Sequence, residues 1–147
     1  MSPETQAAAT AEAEVRDVNQ KFYQALESLD LEAMEGVWLH HDLVRCVHPG
    51  WPMLAGWESV RESWEEIFRN TESMLVSTRD LALHIEGGVG WVTCTERVTS
   101  KRADRSETAL VQATNLFLRR DGEWKMVLHH ASPLALPGYM SPSETVH

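Results

Sequence analysis

The stretch ATNLFLRRDGEWKMVLHHAS, Ala113 to Ser132, decides how this chain is read. Two apolar-rich runs flank Asp121-Gly122. An Asp-Gly pair is among the strongest short hairpin signals, because a type I′ turn needs positive φ at both central residues. A two-residue loop there sets Phe117 opposite Met126, Asn115 opposite Leu128 and Ala113 opposite His130. Side chains alternate across a strand, so one face should carry Ala113, Asn115, Phe117, Trp124, Met126, Leu128 and His130. An amide and an imidazole on an otherwise apolar wall need partners, and that combination predicts a ligand pocket.

Upstream of this hairpin the period is also two. Met74 to Glu86 and Val89 to Lys101 flank Gly87-Gly88 and read as a long hairpin whose inward face is left open. Before it the period is helical. Val15, Val18, Phe22, Ala25, Leu26 and Leu29 predict a first helix from about Glu12 to Leu29. Asp30 caps a short second helix bearing Leu31, Met34 and Val37. Leu43 to His48 is a strand stopped by Pro49-Gly50, and Trp57, Val60, Trp64, Ile67 and Phe68 mark a third, amphipathic helix over roughly residues 56–70. Helices, one short strand, a helix and a four-strand antiparallel run define an α+β fold, with helices packed on one side of a curved sheet. The expected organisation is a flexible N-terminal tail over 1–12, one domain over 13–133 and a C-terminal tail over 134–147, from which Leu134, Leu136 and Tyr139 can fold back.

At 147 residues the chain fits one domain with a real core. Thirteen basic against 22 acidic side chains give a net charge of −9, and no Lys/Arg run is present. That balance argues against nucleic acid and anionic membranes as partners. No apolar stretch is long enough to span a membrane, and the N-terminus lacks the pattern of a secretory signal. Cys46 and Cys94 lack metal or redox spacing and read as buried thiols of a cytoplasmic protein. The second hairpin's other face mixes Leu116, Leu118 and Val127 with Gln112, Thr114, Lys125 and His129, which suits a homodimer contact.

These residues carry a resemblance. The helix pair joined through Ser28-Leu29-Asp30-Leu31, the strand end Val47-His48-Pro49-Gly50, the Gly56-Trp57 helix start and the Asn115-x-Phe117…Asp121-Gly122-x-Trp124 hairpin are similar to the SnoaL-like branch of the nuclear transport factor 2-like superfamily, which includes ketosteroid isomerases and polyketide cyclases. The resemblance runs from about Val15 to Pro133. It implies a cone of curved sheet closed by three helices around a pocket, usually in a dimer. In the steroid isomerases the general-base aspartate precedes a proline at the end of the first strand, a position that resembles His48 here. Their protonated oxyanion acid sits two residues before a hairpin aromatic, which places Asn115 before Phe117. Their oxyanion tyrosine falls on Phe22, with Tyr23 adjacent.

The chemistry of these side chains sets the expectations. Imidazole titrates near neutrality, so His48 can accept a proton from substrate; its alternative use is to fix the turn before Pro49. Asn115 can donate to a developing enolate oxygen, or be a buried amide tied to a neighbour. His130 can return the proton, or be a satisfied core histidine. Phe22, Tyr23, Trp51, Trp64, Phe117 and Leu128 are the expected ligand wall, and aromatic faces suit a flat, apolar or aromatic molecule. The adjacent pairs His40-His41 and His129-His130 point to opposite faces of a strand, so neither can chelate; no metal and no cofactor are expected. The expected reaction is an isomerisation, cyclisation or dehydration begun by proton removal next to a carbonyl. The alternative is a non-catalytic ligand-binding or dimerisation module.

Overall fold

The Asp121-Gly122 turn has φ of 53° and 79°, as a type I′ turn requires, and the hairpin closes on it. The computed structural model describes residues 2–135. In chain order the elements are α1 (Pro3–Ser28), α2 (Leu31–Val37), β1 (Arg45–Val47), β2 (Leu54–Ala55), α3 (Trp57–Arg69), β3 (Ser73–Glu86), β4 (Val89–Arg102), β5 (Arg105–Arg120) and β6 (Glu123–Leu134). The strands form one sheet in the order β2-β1-β6-β5-β4-β3. All pairings are antiparallel except β1 with β6. This is the curved α+β sheet with three helices that the alternating and helical periods predict. Among the described residues, no helix is long and apolar enough to cross a membrane.

The first helix begins at Pro3, well before Glu12, so the segment expected to be a tail is helical. The reason is local. Ser2 accepts a hydrogen bond from the Thr5 amide, Pro3 occupies the first turn, and alanines follow. None of those turns buries an apolar stripe, so hydrophobic periodicity could not mark them. At the other end β6 runs to Leu134, while Leu136 and Tyr139 lie outside the described residues.

The core fills the space between the helices and one face of the sheet. Val15 and Phe22 of α1, Trp64 of α3, Val92 of β4, Phe117 of β5 and Met126 of β6 are buried in one cluster. Helix α1 approaches β4 so closely at Gly90 that a Cβ there would lie 2.8 Å from a Val15 methyl. Glycine at that position is therefore a packing requirement.

One irregularity changes the reading of the last hairpin. Phe117 pairs with Met126 as counted, but Leu116 pairs with Leu128, so Val127 is an extra residue in β6. Met126 and Val127 are consecutive and both buried. Beyond this bulge the faces exchange: Asn115 stands opposite His129, Thr114 opposite His130 and Ala113 opposite Ala131. The expected pairs Asn115–Leu128 and Ala113–His130 are thus corrected by one residue. His130 and Leu128 turn to the outer face, whereas His129 and Val127, expected outside, join the interior. On the outer face Trp91, Leu116 and Leu128 lie abreast on β4, β5 and β6.

Candidate active site

His48 owes its place to a turn. In His48-Pro49-Gly50-Trp51 the Trp51 amide donates to the His48 carbonyl at 2.9 Å, and Gly50 has φ of 82°. Proline second and a left-handed glycine third is the sequence requirement of a type II turn. The turn ends β1, holds His48 inward and folds Trp51 back over it, with ring centroids 4.8 Å apart and edge to face. Helix α3 supplies the other side of the ring. Trp64 stands 4.6 Å from His48 at 86°, and Ser63 Oγ lies 2.8 Å from His48 Nε2. Ser63 spends its own proton on the Val60 carbonyl at 2.6 Å, so it accepts from His48 Nε2–H. The Nδ1 lone pair of His48 is therefore the basic one. Burial lowers the His48 pKa to about 4, and the imidazole is neutral near pH 7.

Three strands and α1 build the opposite wall. Val92, Cys94 and Glu96 alternate inward along β4, so a carboxyl group stands in an apolar row. Tyr23 of α1 donates to Glu96 Oε2 at 2.6 Å and lies 3.3 Å from Cys94 Sγ. Burial raises the Glu96 pKa to about 7, against the opposing effect of the Tyr23 hydrogen bond. The Tyr23 phenol is itself pushed up, first by burial and then by the nearby Glu96 and Cys94 charges. On β5, Asn115 donates through Nδ2 to Asn19 Oδ1 at 2.9 Å and to the Tyr23 hydroxyl at 3.1 Å. Its Oδ1 accepts from His129 Nδ1 at 2.7 Å. His129 is 3% exposed, and its pKa falls to about 3, chiefly through burial and then through the charges of His48 and His130.

His48, Glu96 and His129 line one cavity of about 220 Å³, with Trp64 in its wall and Trp51 and Arg102 among its lining. The volume is below the roughly 300–1,000 Å³ of pockets for drug-sized ligands, which suits a molecule the size of one ring. The expected site residues divide sharply. His48, Trp51 and Trp64 meet at the cavity. Asn115 and Tyr23 stand behind its wall, bonded to His129 and Glu96. Phe22 and Phe117 are fully buried core residues, and Phe22 packs its ring 4.7 Å from His129. His130 and Leu128 stand on the other side of the sheet. Sequence reasoning missed His129, because of the bulge, and Glu96, whose signal was the inward Val92-x-Cys94-x-Glu96 alternation. Among the described residues, no group of three or more His, Cys, Asp or Glu side chains is arranged to hold a metal ion.

The chain belongs to the SnoaL-like domain family, whose model matches residues 15–136. Its fold is that of the nuclear transport factor 2-like superfamily. A proposed dehydratase of the nuclear transport factor 2-like family from Streptomyces avermitilis is 34% identical and superposes with a TM-score of 0.81, over 88% of this chain and 99% of that one. A proposed calcium/calmodulin-dependent protein kinase type II association domain from Thiobacillus denitrificans is 29% identical, with a TM-score of 0.71 over 80% and 92% of the two chains. The F-box protein SKIP8 of Arabidopsis thaliana is 27% identical over 119 residues, which is 81% of this chain and 49% of that protein. The chain thus spans about half the length of that curated relative.

Proposed function

We propose that this protein is a lyase or isomerase that removes a proton next to the carbonyl of a small, ring-sized substrate. One observation carries the reading: two histidines held neutral and one carboxyl group whose pKa is raised to about 7 share a single small cavity. A neutral imidazole and a carboxylic acid are the base and the hydrogen-bond donor that enolate formation needs. In this reading His48 Nδ1 takes the α-proton and the Glu96 carboxyl donates to the carbonyl oxygen as charge develops there. His129 Nε2, on the cavity side of the sheet in place of His130, accepts a hydrogen bond from a substrate hydroxyl. The dehydratase likeness favours elimination. The C–H bond gives its electron pair to the new C=C bond, the C–O bond breaks, and the proton carried by His48 leaves with the hydroxyl as water. In a cavity lined by Trp51 and Trp64, a flat or cyclic β-hydroxy carbonyl compound meets these groups.

The test is hydrogen–deuterium exchange. Small cyclic ketones and β-hydroxy ketones are incubated with the protein in D2O, and loss of the α-proton signal is followed by NMR. Exchange should be catalysed, and His48→Gln should slow it at least ~100-fold while leaving ligand binding in place. Bound ligands with no exchange would mean a binding module; exchange unaffected by His48→Gln would remove the base assignment.

We also propose that two copies pair through the outer sheet face, where the half-exposed Trp91 lies beside Leu116 and Leu128. Sedimentation should give a dimer that Leu116→Glu converts to monomer; a monomeric wild type would overturn this.

A further inference from the structure

Glu96 and His129 stand on β4 and β6, with β5 between them. A continuous run of hydrogen bonds nevertheless joins them behind the cavity wall. Glu96 Oε2 accepts from the Tyr23 hydroxyl at 2.6 Å, Tyr23 accepts from Asn115 Nδ2 at 3.1 Å, and Asn115 Oδ1 accepts from His129 Nδ1 at 2.7 Å. We infer that Tyr23 and Asn115 are positioning residues, a bridge that fixes which lone pair of His129 and which oxygen of Glu96 face the substrate, without touching it themselves. The inference rests on the acid–base reading of the site.

Donor counting sets the direction of the bridge. A phenol has one proton, and Tyr23 spends it on Glu96. Asn115 must then present its amino group to Tyr23, and its second amide hydrogen goes to Asn19 Oδ1 at 2.9 Å. Only its carbonyl oxygen remains for His129, so His129 carries its proton on Nδ1 and keeps the Nε2 lone pair free. Asn115 has no amide hydrogen left for an enolate oxygen. At the other end, Oε2 of Glu96 is engaged by Tyr23, which leaves Oε1 to carry the acidic proton toward the cavity. An inert core has no use for Asn19, Tyr23, Glu96, Asn115 and His129 together, because each buried polar group is costly unless fully partnered.

The bridge also sets the acidity of Glu96. The titratable and charged groups around it are Tyr23 on α1, Cys94 on its own strand, His129 on β6, His48 at the end of β1, and Arg102 among the cavity lining. From α3, β3 and β5 the cavity around it is lined by the uncharged Trp64, Met74 and Val111. Tyr23 donates to the carboxylate and so favours ionisation, while burial opposes it.

The experiment uses the ligand-free full chain and reads neither turnover nor binding. Ring-nitrogen NMR should show wild-type His129 protonated on Nδ1, and Asn115→Ala should remove that preference. Carboxyl NMR should show the Glu96 midpoint rising by about one pH unit in Tyr23→Phe, the loss of one hydrogen bond to a charged group. The His129 tautomer should not change in that variant. A wild-type His129 protonated on Nε2 overturns the bridge and needs no substitution, so the test survives an Asn115→Ala variant that fails to fold. An unmoved Glu96 midpoint in Tyr23→Phe, or an unchanged tautomer in Asn115→Ala, would also overturn it. A purely structural role would lower thermal stability without moving either signal. If both signals behave as expected but no ketone exchanges its proton, the catalytic reading fails alone.

Discussion

His129 and His130 are neighbours in sequence and live on opposite sides of the sheet. His129 is buried, bonded to Asn115 and in the wall of the cavity; His130 is exposed opposite Thr114. The same contrast holds for the two faces as wholes. Inside, Asn19, Tyr23, Asn115, His129 and Glu96 are each tied to another of the set by a hydrogen bond. Outside, Trp91, Leu116 and Leu128 form an apolar row with no such network. The inner face holds its protons in fixed hydrogen bonds, and the outer face offers an apolar row without them.

Core substitution breaks the contrast most strongly. Phe117 is fully buried on the inner face, and Phe117→Ala should cost about 3–5 kcal/mol in denaturant unfolding. Leu116→Ala, the adjacent residue on the outer face, should cost clearly less in the monomer. Equal losses would mean that the two faces are not separately packed.

Acid should weaken the inner face next. The unfolded histidines titrate near 6.5, whereas folded His48 and His129 titrate at about 4 and about 3. As pH falls below 6.5 the unfolded chain takes protons that the folded chain refuses, so stability falls, by about 3 kcal/mol for His48 alone at pH 4. Glu96 acts in the opposite sense. Its folded value of about 7 exceeds the unfolded 4.5, so its contribution grows as pH drops from 7 to 4.5. Two histidines against one carboxyl leave a net loss between pH 6.5 and 4.5. Glu96→Gln should make that loss steeper and His48→Gln shallower in urea titrations at stepped pH. A flat profile in the wild type would contradict the buried, neutral histidines.

The sheet's close approach to α1 is a milder test of the same face. Gly90→Ala pushes a methyl against Val15 and should cost about 1–3 kcal/mol, the usual range for overpacking. Val15→Ala in the same chain should recover part of it, and no recovery would place the strain elsewhere.

Much of this was legible in the sequence, and the failures share one cause. Asp121-Gly122 and His48-Pro49-Gly50-Trp51 carry their turn types in their residues, because glycine and proline fix backbone angles. Those two turns set the last hairpin and the placement of His48. The bulge at Val127 carries no such signature. Met, Val and Leu suit either face of a strand, so nothing local marks which is extra, and a count of two runs through the bulge unaware. Leu128, His129 and His130 beyond it therefore stand on the sides opposite to those the count predicts, which replaces His130 with His129 in the interior and hides the partner of Asn115. Glu96 was missed for a different reason. Its hairpin alternates clearly, but which face meets the helices is settled by tertiary packing against α1 and not by the strand itself.

The smallest expected effect is the sharpest check on that exchange of faces. His130→Gln alters an exposed ring on the outer face and should change stability by less than about 0.5 kcal/mol. It should also leave ketone exchange intact, whereas His129→Gln should lose both stability and exchange. His130 contributes a charge felt by His129 when protonated, so its removal should raise the His129 pKa slightly, in the direction opposite to burial. If His130→Gln instead abolished exchange and His129→Gln did not, the cavity wall would be formed by the unbulged register, and Asn115 would regain an amide hydrogen for the substrate.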